Sequence, residues 1–139
     1  MVNDNDLKYM QQALDLSLQG AGKVNPNPLV GAVLVRDGRV IGEGFHRVFG
    51  GPHAEINAIE AAGGSARGAT MYVTLEPCNH HGKTPPCTQR IIKEGIRRVV
   101  VGMKDPNPDV TGNGIGALQD AGIEVTQGIL SDQISRTNE

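Results

Sequence analysis

Three short segments constrain this chain more than anything else in it: His53-Ala54-Glu55, Pro77-Cys78 and Pro85-Pro86-Cys87. They supply one imidazole, two thiols and one carboxylate. A catalytic zinc ion is held by three protein ligands, with a fourth position kept for water and a proton carrier close by. For these side chains to meet, the ends of three elements far apart in sequence must converge at one place. The fold has to satisfy that condition.

The apolar pattern shows which elements are available. Leu7, Met10, Leu14 and Leu18 recur at helical spacing, which predicts a helix over 6–19 with Asp6 as cap and Gly20 as stop. Asn25-Pro26-Asn27-Pro28 excludes regular structure, because each proline restricts the residue before it. Residues 29–35 and 40–45 are predicted strands joined by a hairpin turn at Asp37-Gly38. A helix over 53–62 follows, ended by Gly63-Gly64. Next come a strand over 70–75, a loop to Pro86, a helix over 88–94 and a strand over 98–101. A Pro/Asn/Gly-rich loop over 105–114 leads to a helix over 115–121 and a strand over 123–126, and the polar tail is expected to fray. Past the opening hairpin, strands and helices alternate. That predicts a largely parallel sheet covered on both faces, with the hairpin as its one antiparallel pairing. The 139 residues fit a single domain, 1–139, and the 19 glycines and 8 prolines fit its many turns.

Bulk composition narrows the function classes. The net charge is −2, and there are two tyrosines, two phenylalanines and no tryptophan. A nucleic-acid partner is therefore not expected, since such proteins show basic excess and stacking aromatics. A local basic cluster of Arg90, Lys93, Arg97 and Arg98 remains. No apolar stretch is long enough to span a membrane and the N-terminus is polar, so a cytoplasmic protein without a membrane partner is expected. Thiols stay reduced there, which favours metal ligation over a disulfide for Cys78 and Cys87.

In an alternating fold, sites gather at the carboxyl ends of strands and the amino ends of the helices that follow. His53 and Cys87 each open a predicted helix, and Cys78 lies just past a strand. Glu55 stands two residues from His53. Residues two apart on a helix do not share a face, so Glu55 is placed beside the metal as a proton carrier and not on it. The order H-x-E, P-C, then Cys follows the pattern of zinc deaminases. The gap between the cysteines departs from the two-residue spacing common in them.

Other readings stay open at this point. Glu55 also suits a surface glutamate in a first helical turn. The cysteines also suit buried thiols. A structural zinc could close its shell with His80 or His81, giving a non-catalytic zinc-stabilised binding module. Gly82-Lys83-Thr84 is no phosphate loop, because Pro77 stands where a glycine is required. Gly112-x-Gly114-x-x-Ala117 matches a dinucleotide fingerprint only formally, since it follows a loop and not a strand.

Taken together, these residues resemble a known family. It is the deaminase domain of the bacterial riboflavin-biosynthesis deaminase/reductase, within the cytidine deaminase-like superfamily. The resemblance rests on residues 24–33 (VNPNPLVGAV), Gly51-Pro52-His53-Ala54-Glu55, Thr74-Leu75-Glu76-Pro77-Cys78, Gly82-Lys83-Thr84-Pro85-Pro86-Cys87 and Asp105-Pro106-Asn107-Pro108. The wide gap between the cysteines is a mark of that family. The resemblance implies a three-layer α/β/α sandwich around a five-stranded mixed sheet, with one zinc per chain held by His53, Cys78 and Cys87. It implies Glu55 as proton shuttle, and Asn27, His46, His80, Lys83, Asp105 and Asn107 in the substrate pocket, with Lys83 toward a phosphate. The implied reaction removes the 2-amino group of a phosphorylated diaminopyrimidinone as ammonia. Deamination of another base or nucleoside, such as guanine or cytidine, would use the same core. No reductase domain is expected within 1–139, so the reductase step would fall to a separate chain or a missing domain. A homo-oligomer is left open.

Overall fold

Asp37-Gly38 turns the chain as its sequence predicts: φ is 53° and 75° at the two residues, the left-handed pair of a two-residue hairpin. The computed structural model to which this turn belongs describes residues 4–24, 28–48, 50–78, 86–105 and 112–138. Helix α1 (Asp4–Ser17) and a short 3-10 turn precede the hairpin strands β1 (Gly31–Arg36) and β2 (Arg39–Phe45). Then follow α2 (Ala54–Ala61), β3 (Thr70–Leu75), α3 (Cys87–Lys93), β4 (Arg98–Met103), α4 (Asn113–Asp120), β5 (Glu124–Gln127) and α5 (Ser131–Thr137).

The five strands form one mixed sheet in the order β2-β1-β3-β4-β5. This is the expected sheet with one correction: β1 is antiparallel to both neighbours, β2 and β3, so there are two antiparallel pairings. The reason lies in the crossover through α2. A strand–helix–strand unit makes β3 parallel to β2, but β3 docks on the far side of β1. Sequence alternation does not reveal which side a returning strand takes. The remaining pairs, β3–β4 and β4–β5, are parallel. Strands β2, β3, β4 and β5 therefore all point one way.

The strands alternate faces as their period of two requires. Ala32, Leu34, Met71, Val73, Val99 and Val101 pack under α2, α3 and α4 with Ile59, Ile91 and Leu118. Val33, Val35, Tyr72 and Val100 face the opposite way, toward α1 and α5, with Met10, Leu14 and Ile134. The result is three layers, α/β/α. Helix α5 is a second correction, since the tail was expected to fray. Its sequence is polar except for Ile134, which is fully buried and holds the helix down.

One contact sets where α2 begins. A Cβ on Gly44 of β2 would stand 2.5 Å from Ala58 N and 2.6 Å from Ala54 O. Only glycine lets α2 lie this close to the sheet. That approach brings the first turn of α2 against the carboxyl end of β2. Among the described residues, no helix is long and apolar enough to cross a membrane.

Candidate active site

All the expected ligand positions lie at one end of the sheet. His53 is the residue at which α2 starts, Cys87 is the first residue of α3, and Cys78 follows the end of β3. Their ligand atoms all lie within 4.8 Å of one another. His53 Nδ1 is 3.2 Å from Cys87 Sγ and 3.8 Å from Cys78 Sγ. A tetrahedral zinc with ordinary Zn–S and Zn–N bonds needs about 3.6 Å between nitrogen and sulfur. The two observed distances bracket that value, so this donor set fits zinc. The backbone N–H of Cys87 donates to Cys78 Sγ at 3.2 Å, and Thr88 N–H donates to the Cys78 carbonyl at 3.2 Å. The first turn of α3 thus supports the β3 ligand from behind.

The protonation of the three groups shows what a cation would change. The Cys78 thiol is lowered to about 4, chiefly by the hydrogen bond from Cys87 and then by His53. Cys87 is pushed up, first by Cys78 and then by burial. His53 is raised above its usual value by its bond with Cys78. The pair therefore shares one negative charge, and a dication can displace the remaining proton. With both thiolates formed and a neutral imidazole, the site balances a zinc ion's charge.

Glu55 is buried at 4% exposure in the first turn of α2. Burial is the main cause that pushes its carboxyl up to about 7, with His53 pulling the other way. A carboxyl that titrates near neutrality can both accept and return a proton. It lines the same cavity as His53 and Cys78, a space of about 280 Å3.

His46 and Asp105 also line that cavity. His46 is buried just past β2, and its Nδ1 lies 3.1 Å from the Pro52 carbonyl. A carbonyl can only accept, so Nδ1 carries a proton and donates to it. Its ring meets His53 edge-on at 5.5 Å between centroids. Asn27, His80, Lys83 and Asn107 lie outside the described residues, as does His81.

Sequence reasoning missed Glu76, the residue between β3 and Pro77-Cys78. Its carboxylate, 6% exposed, accepts four backbone N–H groups: from Asp105 at 3.1 Å, Gly112 at 2.9 Å, Gly114 at 2.9 Å and Ile115 at 3.1 Å. The signal was present in Gly112-x-Gly114, the cap and first turn of α4. Such glycines cradle an anion at a helix start, and here the anion is a carboxylate of the chain itself.

A cavity at the carboxyl ends of parallel strands, a His/Cys/Cys donor set and a buried carboxyl define a zinc-dependent hydrolytic deaminase. Residues 3–103 match the family described as the cytidine and deoxycytidylate deaminase zinc-binding region, and the chain belongs to that family. The chain is 50% identical over 133 residues to the riboflavin biosynthesis protein RibD of Escherichia coli (strain K12), covering 96% of this chain and 36% of that protein. A solved structure from Thermotoga maritima is described as a diaminohydroxyphosphoribosylaminopyrimidine deaminase/5-amino-6-(5-phosphoribosylamino)uracil reductase. It is similar at a TM-score of 0.90 and 54% identity, over 96% of this chain and 39% of that one. The Aspergillus oryzae Rib2 deaminase (C-terminal deletion mutant), solved in complex with DARIPP, is similar at a TM-score of 0.79 and 26% identity, over 96% of this chain and 89% of that one. The likeness is to the deaminase domain of RibD, and the chain spans little more than a third of the curated RibD of Escherichia coli.

Proposed function

We propose that the chain deaminates 2,5-diamino-6-ribosylamino-4(3H)-pyrimidinone 5′-phosphate in riboflavin biosynthesis. Water adds at C2, the 2-amino group leaves as ammonia, and the product is 5-amino-6-ribosylaminouracil 5′-phosphate. The observation that carries this reading is the cluster of His53, Cys78 and Cys87 at a cavity lined by His53, Cys78 and buried Glu55, in a chain half identical to RibD. The name of the Thermotoga maritima protein supplies the substrate class.

In this reading His53, Cys78 and Cys87 hold one zinc ion. Zinc supplies Lewis acidity toward the attacking water. A Glu55 carboxylate oxygen would take one proton from that water and pass it to the ring nitrogen, then take the second from the resulting hydroxyl and pass it to the amine, so that ammonia leaves and a C2 carbonyl remains. Its near-neutral pKa suits both transfers. Burial of its carboxyl keeps bulk water from competing for the proton. His46 and Asp105, which line the cavity, are assigned to binding the base. The family resemblance assigns Asn27, His80 and Asn107 to substrate binding and Lys83 to the 5′-phosphate. The reduction that follows falls to a separate domain or chain.

The test is ammonia release from this phosphate beside cytidine and guanine, with Glu55→Ala in parallel. The expected result is turnover of the diaminopyrimidinone phosphate alone, with zinc kept and turnover lost in the variant by roughly 10²–10⁴-fold. Preferential turnover of cytidine or guanine would replace the substrate. Near-normal ammonia release by Glu55→Ala would remove its assigned role.

A further inference from the structure

We propose that Glu76 is a positioning residue for the substrate pocket: its carboxylate fastens the wall that carries Asp105 to the strand that carries Cys78. The inference rests on the pocket reading above. It assigns Glu76 neither to the metal nor to proton transfer.

The geometry separates these roles. A carboxylate has about four lone-pair sites. Glu76 uses them on four backbone N–H groups, two on each oxygen. Oε1 takes Asp105 and Gly112, at 3.1 and 2.9 Å, and Oε2 takes Gly114 and Ile115, at 2.9 and 3.1 Å. Nothing is left with which to bind zinc or a base. The pairing on Oε1 matters most. One oxygen holds Asp105, just past β4, together with Gly112, the residue before α4. It holds these two backbone positions on a single atom. The same residue's backbone N–H donates to Met103 O at 2.9 Å, which ties the ends of β3 and β4 together.

A second contact acts in the same direction. A Cβ added at Gly114 would collide with the carbonyl oxygen of Pro77, the residue next to Cys78. The start of α4 is therefore seated directly on the chain between Glu76 and the metal site. The carboxylate and the glycine together fix how far Asp105 stands from Cys78 and from the cavity both residues line.

If Glu76 only capped α4, its loss would lower stability and leave the kinetics of the folded enzyme unchanged. If it positions the wall, substrate affinity falls while the chemistry stays. The experiment compares wild type, Glu76→Gln, Glu76→Ala and Gly114→Ala by zinc content, steady-state kinetics with the diaminopyrimidinone phosphate, and amide hydrogen exchange. Glu76→Gln is isosteric, and its NH2 faces two backbone donors. It remains informative where Glu76→Ala does not fold.

The expected outcome is full zinc content, a KM raised on the order of tenfold, and kcat within about twofold. Exchange at Asp105, Gly112, Gly114 and Ile115 is expected to quicken on the order of tenfold or more. Gly114→Ala should give the same KM–kcat split. Unchanged exchange at these four amides would overturn the proposal. So would lost zinc, or a fall in kcat at constant KM. If wild type does not turn over the phosphate, the substrate assignment fails alone, and the KM–kcat split of the Glu76 variants is read with whichever base wild type does deaminate; an unchanged KM there would overturn the role of Glu76.

Discussion

The two ends of the sheet carry cavities of equal size, each about 280 Å3, and they differ in how their polar groups are satisfied. At the carboxyl end of β3, one imidazole, two thiols and a buried carboxyl crowd together with only one negative charge shared between the thiols. At the opposite end the charges have already found one another. Fully buried Asp6 accepts from Arg98 Nη1 at 2.9 Å, Arg98 Nη2 at 3.0 Å and Tyr72 Oη at 2.8 Å. Arg98 also donates to Thr126 Oγ1 at 2.9 Å and pairs with Glu124 at 3.0 Å. Volume does not distinguish the two. What marks a site is the convergence of groups that a further atom would complete.

The contrast breaks most visibly at the catalytic end. Cys78→Ser or His53→Ala should abolish stoichiometric zinc binding and lower turnover on the order of a thousandfold or more. Metal analysis and an ammonia assay check both effects. Full turnover in a zinc-free variant would mean the two cavities do not differ in the way described.

At the opposite end, Asp6→Ala removes the buried partner of half-buried Arg98 and leaves Tyr72 with a buried hydroxyl. It should cost about 3–5 kcal/mol of stability by denaturant unfolding, with kcat/KM of the folded fraction unchanged. A selective loss of kcat/KM would show that the second cavity communicates with the first.

Acidity sharpens the comparison. Zinc must displace the proton of Cys87, whose pKa is raised, and below the raised pKa of His53 a second proton as well. Zinc affinity should therefore rise with pH by about tenfold per unit above the raised pKa of His53, and more steeply below it. A chelator competition between pH 6 and 8 reads this directly. The Tyr72 phenol responds at the other extreme. Burial raises its pKa first, and its bond to Asp6 adds to the effect. A raised folded-state pKa means the stability it contributes is present below about pH 10 and lost as pH rises above it. Tyr72→Phe should flatten that alkaline loss.

The smallest effect is expected from Glu124→Ala. Its carboxylate pairs with the same arginine as Asp6, but from an exposed position. Less than about 1 kcal/mol should be lost. A cost as large as that of Asp6→Ala would contradict the role given to burial here.

Much of this was legible in the sequence, for identifiable reasons. The metal donors were legible because zinc chemistry admits few residue types and because His53 and Cys87 each open a helix. Glu55 was set apart from the ligands by an argument from helical faces; in the structure His53 is the extended cap of α2 and not part of the helix, so that argument does not apply as made. The place of β3 was not legible, since alternation fixes the order of elements but not the side of β1 on which a strand docks. Helix α5 escaped because a single residue, Ile134, anchors it. Glu76 escaped because its partners are backbone amides far along the chain, which carry no side-chain signature. The glycines that form its cradle were visible but resembled a nucleotide fingerprint.

Asn138 has a practical consequence for anyone who attaches something to this protein. Its Oδ1 accepts from the Leu29 N–H at 2.7 Å, and its Nδ2 donates back to the Leu29 carbonyl at 3.4 Å. Leu29 sits between Pro28 and Val30, both of which line the catalytic cavity. The end of α5 is thus stitched to the rim of the pocket. A bulky fusion joined there without a spacer would pull on residues that line the cavity. A small fluorescent label at the same place would report their movement as substrate enters.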